Sequence, residues 1–148
     1  MKRLLLTAAF CTALAGHATG QTVNDCDWVS SARNLVAPWS QNTRIFANGA
    51  IRIALLDAGE PACCSFHLLV LSPDPEWGQA CHVISAQPGM GWVGIGFRDQ
   101  KASYDAAKGL RVNISVDTYD PDTGTADPAN RGTVGIRINQ ATGQVTLE

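Results

Sequence analysis

The stretch that decides the fold is Leu-Arg-Val-Asn-Ile-Ser-Val-Asp at residues 110–117. Apolar residues alternate with polar ones along it, and successive side chains of a β-strand point to opposite faces of a sheet. One face of this strand must therefore lie on a core while the other meets water. The alternation predicts a strand of an antiparallel sheet that buries a single face.

Similar short runs, rich in β-branched and aromatic residues, occur on both sides of this stretch between clusters of turn-forming residues. The predicted strands are Ile51–Leu56, Cys64–Leu71, Cys81–Ser85, Trp92–Phe97, Leu110–Asp117, Thr133–Ile138 and Gln144–Leu147. The run Cys64–Leu71 is apolar on both faces, which predicts a central strand. Asn139–Gly143 predicts a tight hairpin turn with Gly143 in the left-handed conformation. About seven strands at turn-separated intervals predict a mainly β fold, an antiparallel β-sandwich or a small barrel.

Two helical segments are also predicted. Apolar residues recur with helical spacing over Asp25–Val36, and Pro38 follows, so we expect an N-terminal helix packed against the sheet. Ser103–Lys108 predicts a single helical turn that Gly109 ends.

Residues 1–20 have the organisation of a secretory signal peptide. A basic pair precedes an apolar run, Leu4–Ala15, and the segment ends on Ala18-Thr19-Gly20, whose small residues suit signal peptidase. The run is too short to cross a hydrocarbon core of roughly 30 Å. We therefore expect a single exported domain at residues 21–148, periplasmic or extracellular, with no membrane span.

The composition excludes several classes of protein. Charged residues make up 16% of the 148 residues and hydrophobic residues 45%, which favours a packed core over intrinsic disorder. The net charge is −2, and it becomes −4 without residues 1–20, which hold two basic and no acidic residues. A nucleic-acid-binding protein would carry a basic surplus, so we expect no nucleic-acid partner.

Removal of the signal peptide takes Cys11 with it and leaves an even number of cysteines, namely Cys26, Cys63, Cys64 and Cys81. An even number in an exported chain indicates a disulfide framework. Because neighbouring strand residues face opposite sides, we expect Cys63 and Cys64 to bond different partners, one to Cys26 and the other to Cys81. The alternative is a bond between Cys63 and Cys64 themselves that acts as a redox or conformational switch.

A second interpretation of the same region is a thiol-redox or metal-handling protein. The thiol and imidazole groups that would serve it belong to Cys63, Cys64, His67, Cys81 and His82. Such ligands suit zinc or copper, although their spacing matches neither a paired C-x-x-C zinc site nor a blue-copper loop. The main interpretation requires no metal and no cofactor.

Four aspartates suggest a calcium loop at first sight: Asp117, Asp120, Asp122 and Asp127. In an EF-hand register that begins at Asp120, the bidentate glutamate position is occupied by Arg131. We therefore interpret the segment as a solvated turn.

The sequence contains no catalytic signature, neither a G-x-S-x-G elbow nor an H-E-x-x-H helix nor a phosphate loop. Ser65 or Ser85 could pair with His67 or His82 as nucleophile and base, but most chains of this length offer such combinations. We lean against an enzyme.

The four tryptophans and the glycines of residues 91–96 are the remaining residues considered for a role in binding or packing. Trp28 and Trp92 fit buried positions, whereas Trp39 and Trp77 lie in polar surroundings and are expected to be exposed. They either cap the ends of the sandwich or mark a contact surface. The glycines within residues 91–96 indicate a β-bulge or close packing.

The sequence as a whole favours an exported, disulfide-bonded β domain with a non-catalytic role, which binds a protein or small-molecule ligand or assists in the cell envelope.

Overall fold

The computed structural model describes residues 20–148, apart from the side chains of residues 127–130. The proposed signal peptide, except for Gly20, lies outside the described residues. The strands are β1 (Thr22–Asp25), β2 (Thr43–Phe46), β3 (Ile51–Asp57), β4 (Phe66–Asp74), β5 (Gly78–Ser85), β6 (Gly94–Asp105), β7 (Gly109–Asp120), β8 (Thr125–Ile138) and β9 (Val145–Leu147). The one α-helix in this part of the chain is α1, Trp39–Asn42.

The strands form two antiparallel sheets, which confirms the predicted mainly β fold and is consistent with a small β-sandwich. The first sheet has the order β1-β5-β4-β3-β2, and the second has the order β6-β7-β8-β9. The predicted central position of β4 is confirmed. β1 and β2, the short edge strands of the first sheet, were not predicted.

The core lies between the two sheets. Ile53, Leu68 and Ile84 line it from the first sheet, and Val112 and Ile114 line it from the second. All five are fully buried. The alternation over residues 110–117 therefore places its apolar face as predicted.

The predicted helix over Asp25–Val36 is wrong. Its first residue ends β1, and two short 3₁₀ turns follow, Trp28–Ser30 and Ala32–Asn34. The amide of Cys26 donates to the carbonyl oxygen of Cys81 at 3.2 Å, so strand pairing extends into this window. The apolar residues still reach the sheet, because Val29 packs on its outer face.

The predicted helical turn at Ser103–Lys108 is also wrong, because the segment belongs to a hairpin. β6 continues to Asp105, which pairs with Gly109 of β7. The Asp105 carboxylate accepts the amides of Ala107 and Lys108 at 2.8 and 2.9 Å, which stabilises the turn between them. Cross-strand pairing outweighs a helical preference that only one turn could express.

Two predicted features of the turns and glycines are confirmed. Gly143 adopts φ +73°, and its amide donates to the carbonyl oxygen of Asn139 at 2.7 Å, which closes the β8–β9 hairpin. The strand register shifts between Gly96 and Lys101, directly after the glycines for which the sequence indicated a bulge or close packing. Gly91 has no space for a β-carbon, because the carbonyl oxygens of Cys64 and Phe66 lie against it.

Candidate functional site

The first disulfide joins Cys26, just after β1, to Cys81 in β5. It ties the segment that follows the edge strand β1 to the neighbouring strand β5, next to the backbone hydrogen bond between the same two residues. The expectation that Cys26 and Cys81 bond separately to Cys63 and Cys64 is therefore wrong.

The second disulfide joins the neighbours Cys63 and Cys64. Our expectation of different partners assumed that both residues lie on a strand, but β4 begins only at Phe66. In the loop before it the alternation of faces does not apply, and Cys64 has φ +69°. The alternative pairing considered above is the one observed.

Of the two candidate histidines, only His67 belongs to a buried polar cluster. His67 lies on β4 and is 2% exposed, and its Nδ1 is 2.8 Å from Oγ of Ser85 on the neighbouring strand β5. Its Nε2 is buried without a hydrogen-bond partner among the described residues. Burial lowers the pKa of His67, because the charged imidazolium would lose its hydration, although Glu60, Asp27 and Asp57 act in the opposite direction.

A small cavity of about 90 Å³ adjoins this pair. Its polar lining comes from Asn24, Asp27, Glu60, His67 and Ser85. The structure thus assembles one of the serine–histidine combinations considered above, with Ser85 and not Ser65.

The proposed metal-binding set is not brought together. Cys81 is bonded to Cys26, and Cys63 is bonded to Cys64. Among the side chains that the structure describes, no group of three or more His, Cys, Asp or Glu is arranged to hold a metal ion.

Asp117, Asp120 and Asp122 make contacts within the hairpin of β7 and β8. Asp117 forms an ion pair with Arg131 at 2.7 Å, and the Asp120 carboxylate accepts the amide of Asp122 at 2.9 Å within the turn. The side chain of Asp127 lies outside the described part. These contacts fit a solvated turn.

An apolar site lies on the outer face of the first sheet. We call it the Trp39 groove, and its volume is about 220 Å³. It is lined by Leu35, Trp39, Thr43, Arg52, Ala54, Leu69 and Leu71. The strand register explains this set, because Thr43 lies opposite Ala54, and Ala54 lies opposite Leu69, so that one side chain from each of three strands faces the groove.

The N-terminal segment covers only part of this outer face. Val29 packs there against Leu56 and Val83, and Leu35 marks the edge of the covered part. Trp39 is 62% exposed beside the uncovered part, and Ile45 of β2 is 65% exposed. The exposure predicted for Trp39 is thus confirmed.

The other tryptophans fall into two groups. Trp92 is buried and Trp77 is 80% exposed, both as predicted, whereas Trp28 is 55% exposed. Trp28 was predicted buried because it was placed on the apolar face of a helix that does not form.

The sequence did not predict that Arg52, Leu69 and Leu71 form a surface. The apolar character of both faces of β4 was a signal, because an apolar outer face needs a cover.

Comparison with known proteins yields no relative: no family model, no curated protein and no solved structure matches this chain. Within the described residues, no helix is long and apolar enough to cross a membrane. The two disulfides indicate a non-reducing environment outside the cytosol.

Proposed function

We propose that this chain is an exported binding domain, periplasmic or extracellular and non-catalytic, that recognises a protein partner through the Trp39 groove. The partner inserts one apolar side chain into the groove, and the residue before or after it in the partner's sequence is Glu or Asp. The observation that carries this proposal is the exposed Trp39 beside an apolar groove whose one charged lining residue is Arg52.

The size of the groove fits one apolar side chain. A cavity of about 150 Å³ lined by aliphatic and aromatic groups takes up benzene. The groove measures about 220 Å³ and has Ala54, Leu69 and Leu71 on its sheet side. It can therefore receive a side chain of the size of leucine or phenylalanine.

The charge of the groove favours an acidic neighbour for that side chain. Arg52 is exposed, and none of the ion pairs within the described residues involves it. Its Nε donates to the carbonyl oxygen of Gly49 at 3.3 Å, which orients the guanidinium beside the groove. A guanidinium binds a carboxylate through two parallel hydrogen bonds, so a glutamate or aspartate of the partner is the matching group.

The residue types favour a protein partner over a small ligand. Tryptophan and arginine are the residues most enriched at the energetic centres of protein interfaces, while lysine and acidic residues are depleted there. The Trp39 groove contains one of each enriched type and no acidic residue or lysine.

A display library of random peptides tests the proposal. We expect selected sequences to carry an apolar residue next to Glu or Asp. Trp39→Ala should weaken their binding by at least about tenfold, or about 1.4 kcal/mol. Arg52→Glu should weaken the acidic peptides while improving versions in which the acidic residue is replaced by Lys.

Trp77→Ala is the matched control, because Trp77 is an exposed tryptophan that does not line the groove. It should leave binding unchanged. The proposal is wrong if the library yields no enriched sequence, or if Trp39→Ala binds selected peptides as tightly as Trp77→Ala does.

A further inference from the structure

The two disulfides differ in what they contribute to the fold. Cys26–Cys81 links residues 55 positions apart, whereas Cys63–Cys64 links residues one position apart. A disulfide stabilises mainly by restricting the unfolded chain, and the restriction grows with the length of the closed loop. Cys63–Cys64 closes almost no loop, so global stability does not account for it.

Its effect is local. Cys64 has φ +69°, a conformation that a residue with a β-carbon rarely adopts. It is 6% exposed, and its carbonyl oxygen lies against Gly91 with no room for a side chain there. The disulfide thus holds one residue in an unfavourable conformation at a tightly packed point.

That point forms the wall of a second cavity, which we call the Cys64 cavity. It has a volume of about 360 Å³, and Met90, Trp92 and Tyr119 also line it. Behind the wall, Phe66 and Trp92 exchange backbone hydrogen bonds of 3.1 and 2.8 Å, and the amide of Ala58 donates to the carbonyl oxygen of Ser65 at 2.9 Å. The disulfide, the cavity and these hydrogen bonds therefore share one short segment.

We propose that Cys63–Cys64 is a thiol-exchange site for a dithiol reductant, and that its reduction loosens the wall of the Cys64 cavity while the rest of the fold persists. This inference is independent of the Trp39 groove. A dithiol is the chemical class required, because its second thiol completes the exchange without a further reactant.

The exchange begins at Cys63. Cys63 is half-buried while Cys64 is buried, so the sulfur of Cys63 is the more accessible to an attacking thiolate. The thiolate forms a bond to Sγ of Cys63, and the bond between the two protein sulfurs breaks with its electron pair on Sγ of Cys64, which takes up a proton. The second thiol of the reductant then bonds to the first, which releases Cys63 as a thiol. Two electrons and two protons pass to the protein, and the reductant leaves as a disulfide.

The disulfide between the neighbours Cys63 and Cys64 closes a small covalent ring that holds the backbone of Cys64. Reduction opens this ring, so the backbone of Cys64 can leave the positive-φ region. Because the carbonyl oxygen of Cys64 lies against Gly91, any such rotation changes the contact between the two segments. The hydrogen bonds of Ala58, Phe66 and Trp92 are the nearest reporters of that change.

The test uses the full exported chain, titrated with dithiothreitol, trapped with N-ethylmaleimide and mapped by mass spectrometry. We expect Cys63 and Cys64 to be labelled first, with Cys26–Cys81 intact and the far-ultraviolet circular dichroism unchanged. Amide hydrogen exchange should become faster at Ala58, Phe66 and Trp92. The proposal is overturned if Cys26–Cys81 is reduced first or at the same time, or if amide exchange at these positions does not change.

Single substitutions test the point of attack. Cys64→Ser leaves the thiol of Cys63, and Cys63→Ser leaves the thiol of Cys64. The first variant should react with an aromatic disulfide reagent at least about tenfold faster than the second, because access limits the rate. Equal rates in two variants with native circular dichroism would overturn the assignment of Cys63 as the preferred point of attack.

Discussion

The hydroxyl of Ser72 in β4 donates a hydrogen bond of 2.7 Å to the carbonyl oxygen of Gly143, which lies 71 positions later in the hairpin of the second sheet. Both residues are buried. Gly143 also packs directly on the carbonyl group of Pro73, so that a β-carbon would have no space. This contact joins the two sheets at one end of the fold.

Gly143→Ala should therefore be strongly destabilising. The substitution combines a positive φ of +73° with an overlap against the backbone of Pro73. We expect the free energy of unfolding to fall by about 2–4 kcal/mol in urea denaturation. Gly124→Ala is the control, since Gly124 has φ +70° and open space around it, and should lose only about 1–2 kcal/mol. Equal losses would show that the close approach to Pro73 does not matter.

Ser72→Ala removes the hydroxyl donor and leaves the buried carbonyl oxygen of Gly143 without this partner. We expect a loss of about 1–3 kcal/mol in the free energy of unfolding, measured by thermal or urea denaturation. Ser103→Ala is the comparison, because Ser103 is exposed on β6. It should stay within about 0.5 kcal/mol of the native chain. A Ser72→Ala variant as stable as Ser103→Ala would refute a structural role for this bond.

The two disulfides should contribute unequally to stability. Replacing Cys26 and Cys81 together by serine should lower the free energy of unfolding by about 4 kcal/mol, because a separation of 55 residues is released. Replacing Cys63 and Cys64 together should cost less than about 1 kcal/mol, because the separation is one residue. Urea denaturation of both double variants measures the difference. Similar losses would contradict the assignment of a global role to the first bond and a local role to the second.

Burial of His67 makes stability depend on pH. Its pKa in the folded protein is lowered, chiefly by desolvation, whereas the unfolded chain binds a proton near its ordinary value of about 6.5. The contribution of neutral His67 to the free energy of unfolding is therefore complete above about pH 6.5. This contribution decreases as the pH falls toward the lowered pKa and becomes constant below that pKa.

Urea denaturation from about pH 8 to about pH 5 measures this dependence, whose slope from one histidine is at most about 1.4 kcal/mol per pH unit. His67→Gln should flatten the decrease between the two pKa values. The control variant His82→Gln keeps His67, so its stability should still decrease as the pH falls. A decrease that survives in His67→Gln would assign the pH dependence to other groups.

The sequence predicted the elements in which one local pattern is sufficient. Alternation placed Val112 and Ile114 in the core, and Asn139–Gly143 closed a turn because Gly143 can adopt positive φ. The helix over Asp25–Val36 failed because pairing of Cys26 with β5, distant in sequence, competed with helical spacing. Local periodicity contains no information about such a partner.

The candidate sites were predicted only in part. The exposure of Trp39 was predicted from its polar surroundings, but the groove beside it required the register that brings Ala54 opposite Leu69. Ser85 and His67 were one combination among several until two neighbouring strands placed them 2.8 Å apart. Side chains distant in the chain become a site only through strand pairing.

By itself, the sequence determined that the chain forms an antiparallel β fold and that its cysteines are even in number after the first 20 residues, because alternation and composition are local properties. Only the tertiary structure decided which cysteines bond to each other. Cys64 leaves the strand conformation just before β4, which turns its sulfur toward Cys63, while the end of β1 brings Cys26 to Cys81. The tertiary structure also decided that part of the outer face of the first sheet stays open, because the N-terminal segment covers only the part around Val29.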